Sequence, residues 1–186
     1  MQVLATDIPD VLELVPKVFG DERGFFLETW NERVFDAAGM PATFVQDNWS
    51  RSRKGILRGL HYQIERPQGK LVRVVRGTIF DVAVDMRRWS PTFGRHTARI
   101  LSDANRRAMW IPPGFAHGFL VLSDEADFVY KCTEFYAPEH ERAIAWNDPA
   151  LAIEWPLAEI GGAANVQLSE KDRTKAAAFA AAEAFA

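Results

Sequence analysis

Between Thr78 and Met86 the chain reads T-I-F-D-V-A-V-D-M, and its side chains divide into two alternating sets. Ile79, Asp81, Ala83 and Asp85 share one face, while Phe80, Val82, Val84 and Met86 share the other. That period of two predicts a half-buried β-strand. Leu71–Arg76, joined to it through Gly77, predicts a second strand, and shorter ones are expected at Thr97–Ser102, Ala108–Ile111, Gly118–Leu122 and Asp127–Tyr136. Turn chemistry separates them at Ser90-Pro91, Pro112-Pro113-Gly114 and Ser123-Asp124-Glu125. Many short strands at close spacing, with no βαβ rhythm, predict an antiparallel sandwich or barrel. Helix is expected only at the margins: Asn31–Ala38 closed by Gly39, and a second helix from near Ser169 into the alanine-rich run Ala176–Ala186. Without an internal repeat or a linker, residues 1–186 are expected to form a single domain, with 174–186 as an alanine-rich helical tail.

Composition narrows the class. Hydrophobic residues make up 48% and aromatics 12%, which excludes disorder as the main state. The 22 basic residues stand against 25 acidic ones, a net charge of −3 that argues against nucleic acid as a partner but leaves room for a small anionic ligand. The lone cysteine, Cys132, cannot form an internal disulfide, and a reducing compartment is expected. No run approaches the roughly 18 apolar residues of a membrane helix. Met1–Val18 lacks the basic-then-apolar pattern of a signal peptide, so a cytoplasmic location with no membrane partner is expected. The sequon Asn48-Trp49-Ser50 then has no bearing as a glycosylation site.

Four segments concentrate chemistry. In Gly20–Glu28, Arg23 beside Gly24 fits an anion contact, and equally a plain surface turn. In Gln46–Gln63, Gln46 and Asn48 share a strand face, and paired amides suit a base or sugar edge. Strict alternation would send Arg58 and His61 to opposite faces; they can serve one pocket only across a bulge, which Gly59 would permit. A lone strand histidine is otherwise structural. The turn Pro112-Pro113-Gly114 delivers His117 to the start of a strand, as a ligand contact or as an incidental residue. Tyr130 and Tyr136 on one strand would share a face with Cα atoms roughly 20 Å apart, as core or as the two ends of a long ligand.

The four histidines, His61, His96, His117 and His140, form no H-x-H or H-x-x-x-H pair, and no metal or cofactor is expected. The G-x-S-x-G elbow and the glycine-rich phosphate loops are also missing from the sequence. What remains is acid–base chemistry: a His base, a Tyr acid and a Lys or Arg on an oxyanion suit proton abstraction beside a carbonyl. Asp172 either orients the histidine or, at the spacing Ser169-x-x-Asp172, caps the last helix.

Together these segments closely resemble the dTDP-4-dehydrorhamnose 3,5-epimerase family. The resemblance rests on D-E-R-G-F-F-L-E (Asp21–Glu28), Q-D-N-W-S (Gln46–Ser50), R-G-L-H-Y-Q (Arg58–Gln63), G-K-L-V-R-V-V-R-G (Gly69–Gly77) and D-V-A-V-D-M-R (Asp81–Arg87). It continues through S-P-T-F-G (Ser90–Gly94), I-P-P-G-F-A-H-G-F (Ile111–Phe119), Y-K-C-T-E-F-Y-A-P-E-H-E (Tyr130–Glu141), I-E-W-P (Ile153–Pro156) and L-S-E-K-D (Leu168–Asp172), spanning Ile8 to Arg173. It departs at Phe135, where Tyr is frequent, and in the alanine-rich tail.

The resemblance implies an all-β, cupin-type double-stranded β-helix (jelly roll) with short peripheral helices, a homodimer, and no metal. It implies inversion of C3 and C5 of dTDP-4-dehydro-6-deoxy-D-glucose. On it, His61 matches the base, Asp172 its dyad partner, Tyr130 the acid and Lys70 the cation beside the C4 oxygen. Arg23, Arg58 and His117 match residues around the diphosphate, with Phe26 beside them in the first motif. Glu28, Gln46 and Asn48 match nucleotide contacts, Tyr136 the thymine-stacking residue, and Glu141 and Lys171 further binding positions. Contacts around Arg23 and Glu28 are expected to be donated by the partner chain. The alternatives are an epimerase acting at C3 or C5 alone, a metal-dependent cupin enzyme, and a non-catalytic sugar-nucleotide binder, against which the intact His61, Lys70 and Tyr130 argue.

Overall fold

A computed structural model describes residues 1–40 and 43–186. Two antiparallel sheets face each other. The first has the order β1-β2-β10-β7-β12-β5, built from β1 (Gln2–Ala5), β2 (Leu12–Val15), β5 (Gln46–Arg53), β7 (Lys70–Arg76), β10 (Ala108–Ile111) and β12 (Glu125–Cys132). The second has the order β13-β6-β11-β8-β9, built from β6 (Leu57–Gln63), β8 (Thr78–Asp85), β9 (His96–Ser102), β11 (Phe115–Val121) and β13 (Glu141–Ala143). A separate hairpin pairs β3 (Val18–Asp21) with β4 (Gly24–Leu27). This is the jelly-roll arrangement, with strands crossing between sheets and both inner faces apolar.

Between the sheets, Val72, Val74, Met109, Ile111 and Phe128 meet Ile79, Ala83, Leu101, Phe115, Phe119 and Val121. The outer face of the second sheet is covered too, because Leu57, Val82, Val84 and Leu120 pack against Ile144, Leu151, Trp155 and Ile160 from the segment after β13. β8 is therefore buried on both faces rather than half-buried, and its Asp81 and Asp85 lose all contact with solvent. α1 (Glu32–Ala37) lies over the outer face of the first sheet, where Phe35 and Met40 meet Leu14, Leu71 and Trp110. Asn31 caps it by accepting from the Arg33 and Val34 amides, and Gly39 follows at φ +71°.

Three expected boundaries move. β12 stops at Cys132 because both neighbours end there: Cys132 is the register partner of Gln46 in β5 and of Lys70 in β7. Tyr136 therefore lies past the strand and does not share a strand face with Tyr130. β11 begins at Phe115, which places His117 inside the strand rather than at its start. The last helix, α2 (Glu170–Lys175), does not continue into the alanine-rich run. That run is extended apart from a 3₁₀ turn at Phe179–Ala181, and it docks by single bridges beside Ile144 and Arg87. A short alanine helix gains little on its own, whereas docking buries Ala182 and packs Phe179 and Phe185 against the apolar cluster. No helix among the described residues is long and apolar enough to cross a membrane.

Candidate active site

The site forms where β6 crosses β11. His117 opposes His61, but Phe119 opposes Arg58, so β6 carries one extra residue in this stretch. Two glycines make room for the bulge. Gly59 has φ +117°, and a Cβ there would sit 2.5 Å from the Gly118 Cα; a Cβ on Gly118 would sit 2.7 Å from the Arg58 carbonyl oxygen. The bulge turns Arg58 and His61 to the same side, as the sequence required for a shared pocket. Both line a cavity of about 410 Å³ with Lys70, His117, Phe128, Tyr130, Lys171 and Asp172.

His61 Nε2 lies 2.5 Å from Asp172 Oδ1, and the Asp172 side chain is only 4% exposed. Burial pushes the Asp172 carboxyl up, but the hydrogen bond and charge of His61, helped by Ser169 and Lys171, hold it below the usual range. The capping relation is present as well. Ser169 Oγ accepts the Asp172 amide at 3.0 Å and starts α2, which leaves the carboxylate free for His61.

Tyr130 projects from β12 across the cavity, its ring 5.4 Å from Phe128. Burial pushes its hydroxyl up to about 12, so it is protonated at neutral pH. Lys70 has no ion-pair partner among the described residues; burial lowers its pKa, and Cys132, Glu141 and Asp81 act in the opposite sense through space. Arg58 is held by Nε donating to Ser52 Oγ at 3.0 Å. His117 stacks on Phe128, with centroids 5.8 Å apart and planes at 17°, and its Nε2 lies 2.9 Å from Asp81 Oδ2.

A second group gathers at the rim. The Tyr136 hydroxyl donates to Glu141 Oε2 at 2.7 Å, and the Lys171 ammonium donates to the same oxygen. Gln46 Oε1 accepts the Tyr136 amide at 2.9 Å, while Gln46 Nε2 donates to Asn48 Oδ1 at 3.0 Å. Asn48 in turn reaches Cys132 Sγ at 3.6 Å. Arg23, Phe26 and Glu28 are not brought in. Arg23 forks onto Asp21 within the β3–β4 hairpin, Phe26 is 69% exposed, and Glu28 accepts from Asn31.

Sequence reasoning passed over Asp81, which lies behind His117 with its second oxygen, Oδ1, unpaired among the described residues. The signal was present: two aspartates interrupt the face that Ile79 and Ala83 send into the core. Among the described residues, no three His, Cys, Asp or Glu side chains converge as a metal would require.

The chain is thus a cupin-type jelly roll whose enclosed cavity gathers a His–Asp pair, a tyrosine and a lysine without an ion-pair partner among the described residues. The chain belongs to the dTDP-4-dehydrorhamnose 3,5-epimerase family, whose sequence model matches residues 5–180. It is 58% identical, over 100% of its own length and 99% of the relative's, to the dTDP-4-dehydrorhamnose 3,5-epimerase of Pseudomonas aeruginosa. It is similar to the crystal structure of the Legionella pneumophila dTDP-6-deoxy-D-glucose-3,5-epimerase in complex with dTDP-4-keto-L-rhamnose, at 53% identity and TM-score 0.88, covering 94% of this chain and 91% of that one. A Streptomyces bikiniensis 3'-monoepimerase in complex with dTDP-quinovose is also similar, at 34% identity and TM-score 0.84, covering 93% and 86%.

Proposed function

We propose that this chain inverts C3 and C5 of dTDP-4-dehydro-6-deoxy-D-glucose, with His61 and Tyr130 on opposite faces of the sugar. The observation that carries the proposal is the shared cavity of the Asp172-bound His61, the protonated Tyr130 and the unpaired Lys70. His61 takes the proton from the carbon beside the C4 ketone, and the electron pair moves onto the C4 oxygen as an enolate. Asp172 stabilises the imidazolium that forms, and Lys70 supplies the charge that holds the oxyanion. The enolate then collapses as Tyr130 donates its proton to the same carbon from the other face. One C–H bond is broken and one is made, and solvent returns His61 and Tyr130 to their starting states. A phenol this resistant to ionisation still protonates a carbanion readily, since the carbanion is far more basic.

Because C3 and C5 both flank C4, one base and one oxyanion site can serve two inversions. Arg58 and His117 suit the diphosphate, and the Gln46, Asn48, Tyr136, Glu141 and Lys171 cluster suits the nucleotide. Arg23, Phe26 and Glu28 fit a site completed by a second copy. The hairpin leaves Phe19, Phe25 and Phe26 at 52%, 61% and 69% exposure, and the outer sheet face leaves Trp49 at 69%, an apolar surface that dimerisation would cover. The unpaired Cys132 suits a cytoplasmic location, and the alanine-rich run docking back onto β13 and Met86 suits a single domain. A second reading, inversion at C3 alone, is favoured by the likeness to the monoepimerase. Proton NMR of the 4-keto sugar nucleotide in deuterium oxide separates the two: deuterium at both carbons with inversion is expected, and deuterium at C3 alone sinks the double epimerisation.

A further inference from the structure

The chemistry above gives the alanine-rich run no task, yet the run docks behind β6, the strand that carries His61. α2, which carries Asp172, hangs between two anchors. Before it, Gln167 bridges to Ile56, its carbonyl accepting the Leu57 amide at 3.0 Å where β6 begins. After it, Ala177 bridges to Ile144, donating to the Ala143 carbonyl at 2.9 Å and accepting the Ala145 amide at 2.9 Å. Ala143 is the register partner of His61. The segment that presents the carboxylate is therefore tied to the histidine's strand directly before α2, at Leu57, and after α2 through Ala143 of β13.

Past Ala177 the chain runs as a strap behind β6. The Tyr62 hydroxyl, which follows His61 and faces the opposite way, donates to the Glu183 carbonyl, and the Phe185 ring lies 6.0 Å from the Tyr62 ring. Arg142, opposite Tyr62 in the ladder, donates to Glu183 Oε2 at 2.8 Å. Phe179 donates its amide to Asp148 Oδ2 at 2.7 Å and packs its ring against Phe93 and Gly94. Phe185 closes the strap by donating to the Met86 carbonyl and accepting the Arg88 amide.

We infer that the strap from Ala177 to Phe185 is a positioning element for catalysis, holding Asp172 in register with His61 through the Ala177–Ala143 anchor. The inference rests on the reading of His61 and Asp172 as base and partner. A carboxylate on one short turn of helix keeps its angle to the imidazole only while both ends of that turn are tied, and a misplacement of about 1 Å can cost up to about a hundredfold in rate.

The test compares the full chain with one ending at Lys175, each with Asp172 intact or as Asp172→Asn. Turnover is followed by NMR at least 20 °C below the melting temperature of each variant, a margin on the order of several ΔΔG-induced shifts. Shortening the Asp172 chain is expected to lower kcat by about tenfold or more, with KM within about twofold. In the Asp172→Asn background it should change kcat by less than about twofold, because the charge whose placement it protects is gone. Equal losses in both backgrounds, or none in either, would overturn the inference and leave the strap a purely stabilising cover. If Asp172→Asn alone leaves kcat unchanged, the dyad reading itself fails and the inference falls with it. Should the short chain not fold, the Tyr62→Phe, Phe185→Ala double variant carries the same comparison, with the same outcomes for and against.

Discussion

Asp172→Asn isolates the charge behind the base from everything else that residue does. Asparagine has the same shape, keeps the amide that Ser169 caps, and keeps a carbonyl oxygen for His61; only the negative charge goes. The magnitude follows from the contact. At a nitrogen–oxygen separation of 2.5 Å the charge centres of imidazolium and carboxylate stand about 4 Å apart, worth about 4 kcal/mol at an effective dielectric near 20. His61 is 27% exposed on its side chain, and solvent reduces this to between about 2 and 4 kcal/mol. That energy is felt only once the base has taken a proton, so kcat should fall by about 30- to 1,000-fold with KM nearly unchanged. Deuterium wash-in at C3 and C5, timed by NMR, reads the chemical step directly. A loss confined to KM, or an intact kcat, would refute the assignment of Asp172 as the partner of the base.

Tyr130→Phe should let solvent deuterium enter while net inversion is lost, because the variant lacks the hydroxyl on the far face; NMR and optical analysis of recovered sugar check this together. Lys70→Met should abolish turnover and raise the melting temperature, since burial lowers the Lys70 pKa and a charge held against burial costs the fold at neutral pH. Asp85 is held down to about 2: burial would raise it, but hydrogen bonds from Arg87, Ser90 and Thr92 prevail. A depressed carboxyl stabilises the fold above its unfolded pKa near 3.8 and loses that contribution as pH falls toward 2, so Asp85→Asn should flatten the acid-unfolding profile between about pH 4 and pH 2.

The strand pattern from Leu71 to Met86 was legible because each residue there faces one layer or the other, and local alternation records that choice. The bulge was legible for a related reason, as only Gly59 could reconcile Arg58 with His61. The end of β12 was not, because it is set by where β5 and β7 stop, two segments distant in sequence. Nor was the strap: alanine propensity argued for helix, and the partners that unwind it, Ala143, Asp148 and Met86, belong to three different stretches. Asp81 escaped notice since a buried acid acquires meaning only beside His117, a residue from another strand. The motifs around Arg23 offered either a ligand contact or a plain turn, and in the structure Arg23 forks onto Asp21 of its own hairpin, outside the lining of the cavity.

The extra residue at Gly59 decides which side chain enters the cavity. Counting from Arg58 by simple alternation, the cavity would receive Leu60 and Tyr62, and the imidazole would face the strap. The bulge advances the count by one, so His61 enters the cavity and Tyr62 meets the Glu183 carbonyl instead. Two adjacent side chains that can each exchange a proton thus sit at the end of a single register step. Were the strand to pair straight through Gly59, every residue proposed for catalysis would remain in the chain, yet the cavity would hold the Tyr62 phenol where it now holds the His61 imidazole.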